Sequence, residues 1–131
     1  MATTDKPYSP RGRAISVWVL QAVLSGIFVV VGCAKLFGIP GMVQVFQQVG
    51  LGQWLRVTTG LIEAVCGLLL LVPATSVSAA VILAFTMAGA ILAHLTVLPP
   101  QTLPAIILLA SCLLLAWLRR TSSAGALVRR R

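Results

Sequence analysis

The sequence predicts an all-α integral membrane protein: a four-helix bundle with a short interfacial helix between the first two spans. Of its 131 residues, 59% are apolar and only 9% are charged, against roughly 25% charged in soluble proteins. Two acids and ten bases cannot cover the surface of a water-soluble domain of this size. We therefore expect a single membrane domain over residues 1–131, solvated by lipid, and exclude a disordered chain or a disulfide scaffold.

Four uncharged apolar stretches define the predicted spans. They cover residues 14–34, 55–72, 77–98 and 103–118. At about 1.5 Å of rise per residue, the first and third are long enough for a hydrocarbon core of about 30 Å. The second and fourth are shorter and would need anchors at the membrane interface, for which Trp54 and Trp117 are suited. Residues 73–76 form the expected turn between spans two and three, and Pro99 and Pro100 end the third span.

The positions of the basic residues predict the topology. Eight of the ten bases precede the first span or follow the last: Lys6, Arg11, Arg13, Arg119, Arg120, Arg129, Arg130 and Arg131. Clusters beside apolar spans mark the cytoplasmic side of a membrane rather than a nucleic-acid site. We expect a basic arm at 1–13, a bundle at 14–118 and a basic tail at 119–131. Both termini would then be cytoplasmic in a multi-pass protein of the plasma (inner) membrane.

The loop between spans one and two, residues 38–52, then faces outward. Within it, Met42, Val45, Phe46 and Val49 follow helical spacing. This pattern predicts a short interfacial helix that covers the bundle. The alternative is an irregular apolar loop folded over the spans.

The cysteines and the histidine limit the chemistry that one chain can perform. Cys33, Cys66 and Cys112 form no C-x-x-C pair, so a dithiol redox motif is absent and we expect three separate small core residues. His94 is the only histidine, which excludes a bis-histidine haem or a multi-histidine metal site within one chain. We expect no metal and no resident cofactor; an electron carrier such as a quinone would be borrowed. Cleavage before Cys33, as in a lipoprotein, is the alternative to a retained first span.

Ionisable residues occur at the ends or inside of the first three spans. Lys35, Glu63 and His94 lie one on each span, and Arg56 begins the second. An unpaired charge at a helix centre costs at least about 2.5 kcal/mol, so such residues usually face a partner or water. Side chains lean toward the N-terminus of their helix, which brings these three to one layer beneath the outer surface. We expect an ionised Glu63 paired with Lys35, with His94 or Arg56 as a second partner.

Small and polar residues share helix faces with this layer. They are Gln21, Ser25 and Gly32 on span one, Gly60, Ala64 and Gly67 on span two, and Thr86 and Ala90 on span three. Small residues let helices approach closely in lipid. We therefore expect these faces to pack against protein.

Two interpretations of the charged layer remain open. In one, the Lys35–Glu63 pair fixes helix register, while Arg56 reaches the interface and His94 bonds a backbone carbonyl. In the other, Lys35, Glu63, His94 and Arg56 line a polar pocket that opens outward and holds a small ligand or a quinone headgroup, or relays protons.

Several motifs resemble the DoxX and DoxX-like family of small four-span membrane proteins. They are GCAKL at 32–36, VGL at 49–51, GLIEAVCGLLL at 60–70 and AILAHL at 90–95. The similarity covers about 29–118, most of the chain. The order G-x-x-K-L, G-L-x-E and A-x-x-x-H is the specific part.

This resemblance implies a plasma-membrane four-helix bundle with relatives tied to redox systems, among them the membrane subunit of thiosulfate-quinone oxidoreductase. It assigns the family's motif positions to Lys35, Glu63 and His94. Because a dithiol and a haem pair are missing, it implies an accessory subunit of a redox or oxidative-stress system without autonomous activity. Partners would be the lipid bilayer, soluble redox enzymes, other membrane subunits or further copies of the chain. A proton-coupled transporter and a purely structural subunit are the alternatives.

Overall fold

The computed structural model describes residues 10–98 and 101–128, and within these ranges the chain is entirely helical apart from turns and short connections. In order, the helices are α1 (Pro10–Leu36), α2 (Pro40–Val49), α3 (Gln53–Leu69), α4 (Ser76–Thr96) and α5 (Leu103–Val128). The predicted all-α class is therefore confirmed for this part of the chain. Residues 1–9 and 129–131 of the predicted arm and tail, and the predicted Pro99–Pro100 helix break, lie outside the described residues.

Three of these helices have the length and apolar composition needed to cross a membrane. The qualifying segments are Arg11–Leu36, Ser76–Thr96 and Leu103–Ser123. Helix α3 has 17 residues, which is about 25 Å at 1.5 Å per residue. Its apolar stretch was expected to run to Val72, but the helix ends at Leu69 and turns follow. The Thr75 hydroxyl donates a hydrogen bond to the Leu69 carbonyl at 2.9 Å, which helps to end the helix.

The helices form two antiparallel pairs, α1 with α3 and α4 with α5, and α3 also packs on α4 and α1 on α5. The largest fully buried side chains include Phe28 on α1, Leu83 on α4, Leu115 on α5 and Leu70, which directly follows α3. Many large apolar side chains instead point outward; Phe85 is 75% exposed. An apolar core inside an apolar exterior is what a helical protein in lipid requires.

Glycines bring α1 and α3 into backbone contact. A Cβ atom added at Gly32 would lie 2.6 Å from the Ala64 nitrogen and 2.7 Å from the Gly60 oxygen. A Cβ at Gly60 would lie 2.8 Å from the Lys35 Cβ. Neither position has space for a side chain, which confirms that these small-residue faces pack on protein.

Helix α2 forms within the loop that was expected to contain a short helix. Pro40 stands at its start, where the missing proline N–H is not needed. Gly50 ends it with φ 76°, and its N–H contacts the Phe46 and Gln47 carbonyls at 3.3 and 3.1 Å. A left-handed residue at this position is the usual helix stop and favours glycine. The helix packs on α3 and α1, and its placement at a membrane interface stays a prediction.

Helix α5 continues well past Leu118, where the bundle was expected to give way to a basic tail. Arg119 lies on this continuous helix and contacts α1. The apolar period ends near Leu118, but nothing in residues 119–128 breaks a helix, because that segment contains no proline.

Candidate functional site

An ion pair joins α1 and α3. Lys35 lies in the last turn of α1, and its Nζ is 2.6 Å from Oε1 of Glu63. The Glu63 side chain is fully buried, whereas the Lys35 side chain is 12% exposed. The depth of the two residues and the lean of their side chains predicted this contact. The distance is that of a charge-assisted hydrogen bond.

Local sequence explains why the two side chains meet. Gly32 precedes Lys35 by one turn on α1, and Gly60 precedes Glu63 by one turn on α3. Because neither glycine carries a side chain, the two helix backbones are in contact. The Glu63 carboxylate therefore lies close enough to the Lys35 ammonium to pair with it. The ring of Phe46 on α2 lies 5.8 Å from the Lys35 Nζ, within range of a cation–π contact. Helix α2 therefore covers the cation.

The second carboxylate oxygen of Glu63 has no donor in the described part of the chain. Among the described residues, Oε2 is buried and makes no hydrogen bond. A buried polar atom without a partner costs about 1–3 kcal/mol, and more when it is charged. The ion pair thus offers an ammonium donor and an unused acceptor side by side. This arrangement suits a small molecule that carries both a hydrogen-bond acceptor and a hydroxyl or amine donor.

Arg56 lies near the pair but is not the second partner of the carboxylate, contrary to one of the sequence-based alternatives. Its Nη1 donates to the backbone carbonyl of Lys35, and its Nε donates to Oε1 of Gln53 at 2.7 Å. Carbonyls in the last turn of a helix lack intrahelical donors and attract cations. Arg56 therefore caps the end of α1 at a carbonyl that also accepts from the Gly38 N–H at 3.2 Å.

His94 occupies the last turn of α4, where it is half-buried. A histidine there can interact favourably with the helix C-terminus. Helix α4 packs against α3, the helix that carries Glu63. Membership of His94 in one cluster with Lys35 and Glu63 stays a prediction.

All three cysteines have free thiols. Cys66 and Cys112 belong to the apolar core, and Cys33 is half-buried on α1. Among the described residues, no group of three or more His, Cys, Asp or Glu side chains could hold a metal ion.

A second polar contact lies at the opposite end of the helices, and the sequence analysis missed it. Gln21 on α1 is fully buried. Its Nε2 donates to the Leu70 carbonyl, and its Oε1 accepts from Nε of Arg119 at 2.9 Å and also from Nη2. The Arg119 Cζ lies 5.0 Å from the Trp18 ring. We call this set the Gln21–Arg119 cluster.

The signal for this cluster was present in the sequence. Gln21 is a polar residue within the first span, and Arg119 is the first base after the last span. If α1 and α5 run antiparallel, these two positions approach the same level. Because Arg119 was assigned to the basic tail, its pairing with Gln21 was not predicted.

Comparison with known protein families gives a match over most of the chain. The family model for the DoxX-like family covers residues 19–126, a range that includes Lys35, Glu63 and His94. The family resemblance seen in the sequence motifs is therefore confirmed. No match was found among curated proteins or among solved structures.

Proposed function

Because the chain belongs to the DoxX-like family, we propose that it is a four-span accessory subunit of a redox or oxidative-stress system that binds a quinone headgroup beside the Lys35–Glu63 pair. The observation that carries this proposal is the buried Oε2 of Glu63, which has no partner among the described residues, next to the partly exposed Lys35 side chain. A protein gains nothing in stability from leaving such an oxygen unpaired. Binding a donor there would satisfy it.

The residues of this pair fit a quinone headgroup. The Lys35 Nζ can donate a hydrogen bond to a headgroup oxygen, and the Glu63 Oε2 can accept one from the hydroxyl group of the reduced, quinol form. When bound, such a headgroup supplies two-electron redox chemistry. Lys35 would orient it, Glu63 would hold or release a proton at Oε2, and Phe46 would restrict access of water from the side of α2.

Binding of decylubiquinol, whose headgroup carries the hydroxyl donors that Oε2 requires, to the purified full chain tests the ligand. We expect saturable binding by the natural protein and binding on the order of ten-fold weaker after Lys35→Met or Glu63→Leu, from the loss of one hydrogen bond to a charged group. Arg120→Gln is the matched control, since Arg120 is an exposed cation outside the site. Circular dichroism of each variant establishes the folded fraction. Lack of saturable binding, or equal affinities in all four proteins, would contradict the proposal.

A register role for the pair is the alternative that the geometry favours next. The pair lies beside the contact of Gly32 with Gly60, where α1 and α3 are closest. The double variant Lys35→Met/Glu63→Leu separates the two roles, because an apolar pair often replaces a buried ion pair without loss of stability. We expect this variant to fold and to lose quinone binding. Retained binding would assign the pair to helix register alone.

In the proposed topology, α3 crosses the membrane as a fourth span, and both termini lie in the cytoplasm. Support comes from the antiparallel packing of α3 along α1 and from the 2.7 Å hydrogen bond that Arg13 donates to Thr121. This bond brings the start of α1 to the end of α5. Because basic residues accumulate there, the positive-inside rule puts that end in the cytoplasm.

Cysteine labelling tests this topology. In a background where the three native cysteines are replaced by serine or alanine, a membrane-impermeant maleimide is applied to intact cells. We expect it to label Gln47→Cys on α2 and not Ser123→Cys on α5, while permeabilised cells label both. If α3 does not cross, α1, α4 and α5 make three crossings, so α2 and the end of α5 lie on the same side and intact cells label both cysteines or neither. Labelling of Ser123→Cys in intact cells would refute cytoplasmic termini.

The accessory role is tested by mild-detergent purification from native membranes, followed by mass spectrometry of the proteins that accompany the chain. We expect an oxidoreductase in near-stoichiometric amount, since the described residues provide neither a metal-binding group nor a cysteine disulfide. Purification of the chain without any oxidoreductase would count against this role.

A further inference from the structure

A cavity lies between α1 and α5, at the end of the helices that carries the Gln21–Arg119 cluster. Its volume is about 180 Å³, several times the roughly 30 Å³ that one water occupies in the liquid. The residues that line it are Arg13, Ala14, Val17, Trp18, Arg119 and Ser122. None of them belongs to the Lys35–Glu63 pair, so this cavity lies outside the site proposed above.

Both arginines of the cavity are positioned by neutral groups. Arg13 donates from Nη2 to the Thr121 hydroxyl at 2.7 Å. Arg119 donates from Nε to the Gln21 Oε1 at 2.9 Å and packs over Trp18. A guanidinium has five N–H donors, and these contacts use fewer than half of them on either side chain. The remaining donors are available to a further acceptor.

The positive charge of the cavity is not neutralised within the described part of the chain. Glu63 is the only acidic residue within the described ranges 10–98 and 101–128. It pairs with Lys35 at the opposite end of the helices. Gln21 and Thr121 contribute dipoles but no charge. Two adjoining guanidinium groups beside a partly apolar cavity attract an anion, and arginine matches the geometry of phosphate through paired N–H donors.

We propose that this cavity binds the phosphate group of an anionic membrane lipid. Arg13 and Arg119 supply the charge-assisted hydrogen bonds, and Ser122 lines the same wall with its hydroxyl donated to the Leu118 carbonyl at 2.9 Å. Ala14, Val17 and Trp18 provide an apolar surface for the part of the lipid next to its phosphate. The lipid is favoured over a soluble anion because α1 and α5 both qualify as membrane-crossing helices. Basic pockets between such helices on the cytoplasmic side are suited to anionic headgroups.

Native mass spectrometry of the full chain, with added phosphatidylglycerol or phosphatidylcholine, tests this site. We expect preferential retention of phosphatidylglycerol by the natural protein. Arg13→Gln and Arg119→Gln should each weaken it on the order of ten-fold, from the loss of hydrogen bonds to a charged group. Arg120→Gln removes the same charge one residue away, on an exposed position, and should leave retention within about two-fold of the natural protein, as for a surface contact.

Arg13→Gln keeps the test independent of folding, because Arg13 contacts the exposed Thr121 and not the buried Gln21. Equal retention of phosphatidylglycerol by all variants would overturn the proposal, and so would an equal loss in Arg120→Gln, which indicates unspecific attraction. Inorganic phosphate alone is the third arm. If it displaces phosphatidylglycerol at low millimolar concentration, the site takes free phosphate and the assignment to a lipid is wrong.

Discussion

The two ends of the helix assembly each hold a fully buried polar side chain that contacts a cation from another helix, but they differ in how completely that side chain is satisfied. Gln21 has partners at both ends of its amide: the Leu70 carbonyl accepts from Nε2, and Arg119 donates to Oε1. Glu63 receives Lys35 at Oε1 only, and its Oε2 has no partner among the described residues.

This difference separates a structural contact, the Gln21 amide, from a candidate site for chemistry at Glu63; the lipid cavity proposed beside Arg119 uses other donors of that guanidinium. A neutral amide with all its hydrogen bonds made is stable within a helix interface and requires nothing further. A buried carboxylate with one oxygen unused is costly, and such arrangements persist in membrane proteins mainly where function requires them. The Gln21–Arg119 cluster therefore holds α1, α3 and α5 together, while the Lys35–Glu63 pair is the candidate for chemistry.

The largest expected effect is on the charged end. Lys35→Met leaves the fully buried Glu63 without its only described partner, and we expect a loss of about 3–5 kcal/mol in the free energy of unfolding. Glu63→Gln should cost less, because the Lys35 side chain is already 12% exposed and its ammonium can extend to the interface. Denaturant titration in bicelles measures both. Equal losses in the free energy of unfolding for the two variants would contradict this explanation by the different exposure of Lys35 and Glu63.

Gly32→Ala should cost about 1–3 kcal/mol, the usual range for overpacking. The new methyl group would lie 2.6 Å from the Ala64 nitrogen, a backbone atom that cannot move aside. Gly26→Ala on the same helix is the matched control, since nothing lies within 4 Å of its added Cβ. There we expect a gain of about 0.5–1 kcal/mol from helix propensity. The same unfolding titration gives both values, and a tolerated Gly32→Ala would contradict close contact of α1 and α3.

At the neutral end, Gln21→Leu should cost about 1 kcal/mol, from the loss of hydrogen bonds to Leu70 and Arg119. This loss is smaller than that of Lys35→Met, because the buried group left without its partner is a neutral carbonyl rather than a carboxylate. Calorimetric unfolding of the variant beside Lys35→Met compares the two ends directly. A larger loss for Gln21→Leu than for Lys35→Met would reverse the assignment of structural and functional ends.

The smallest expected effect is that of Trp18→Leu, which removes the ring beneath the Arg119 guanidinium. Contacts of this kind at exposed sites contribute about 0.5–1 kcal/mol, and Trp18 is 45% exposed. Thermal unfolding measures the change. Trp117→Leu is the control, because Trp117 is exposed on the same helix as Arg119; a similar loss there would assign the effect to lipid contact.

The sequence predicted the helical class, the short helix between spans one and two, and the meeting of Lys35 with Glu63. Apolar stretches and glycine spacing are local signals, and the depth of a residue follows from its place on a helix. The sequence did not predict that Arg56 caps α1 or that Arg119 turns inward to Gln21. Both outcomes depend on which acceptor a long side chain finds across a helix interface, and residue order along the chain does not specify that choice.

The end of α3 shows the same limit. Apolar composition continues to Val72, but Pro73 cannot donate to the Leu69 carbonyl, the helix ends at Leu69, and the Thr75 hydroxyl donates to that carbonyl instead. Hydropathy measures how a segment partitions into lipid and does not record where its backbone turns.

A double-mutant cycle on Lys35→Met and Glu63→Leu, measured as free energies of unfolding in bicelles, tests most directly whether the two residues act as one unit. We expect the double variant to be more stable than the sum of the single losses implies, with a coupling energy on the order of 2 kcal/mol, because removing both charges leaves neither one buried alone. Losses that add within about 0.5 kcal/mol would show that the residues are independent, and the ion pair could not then be the centre of the site.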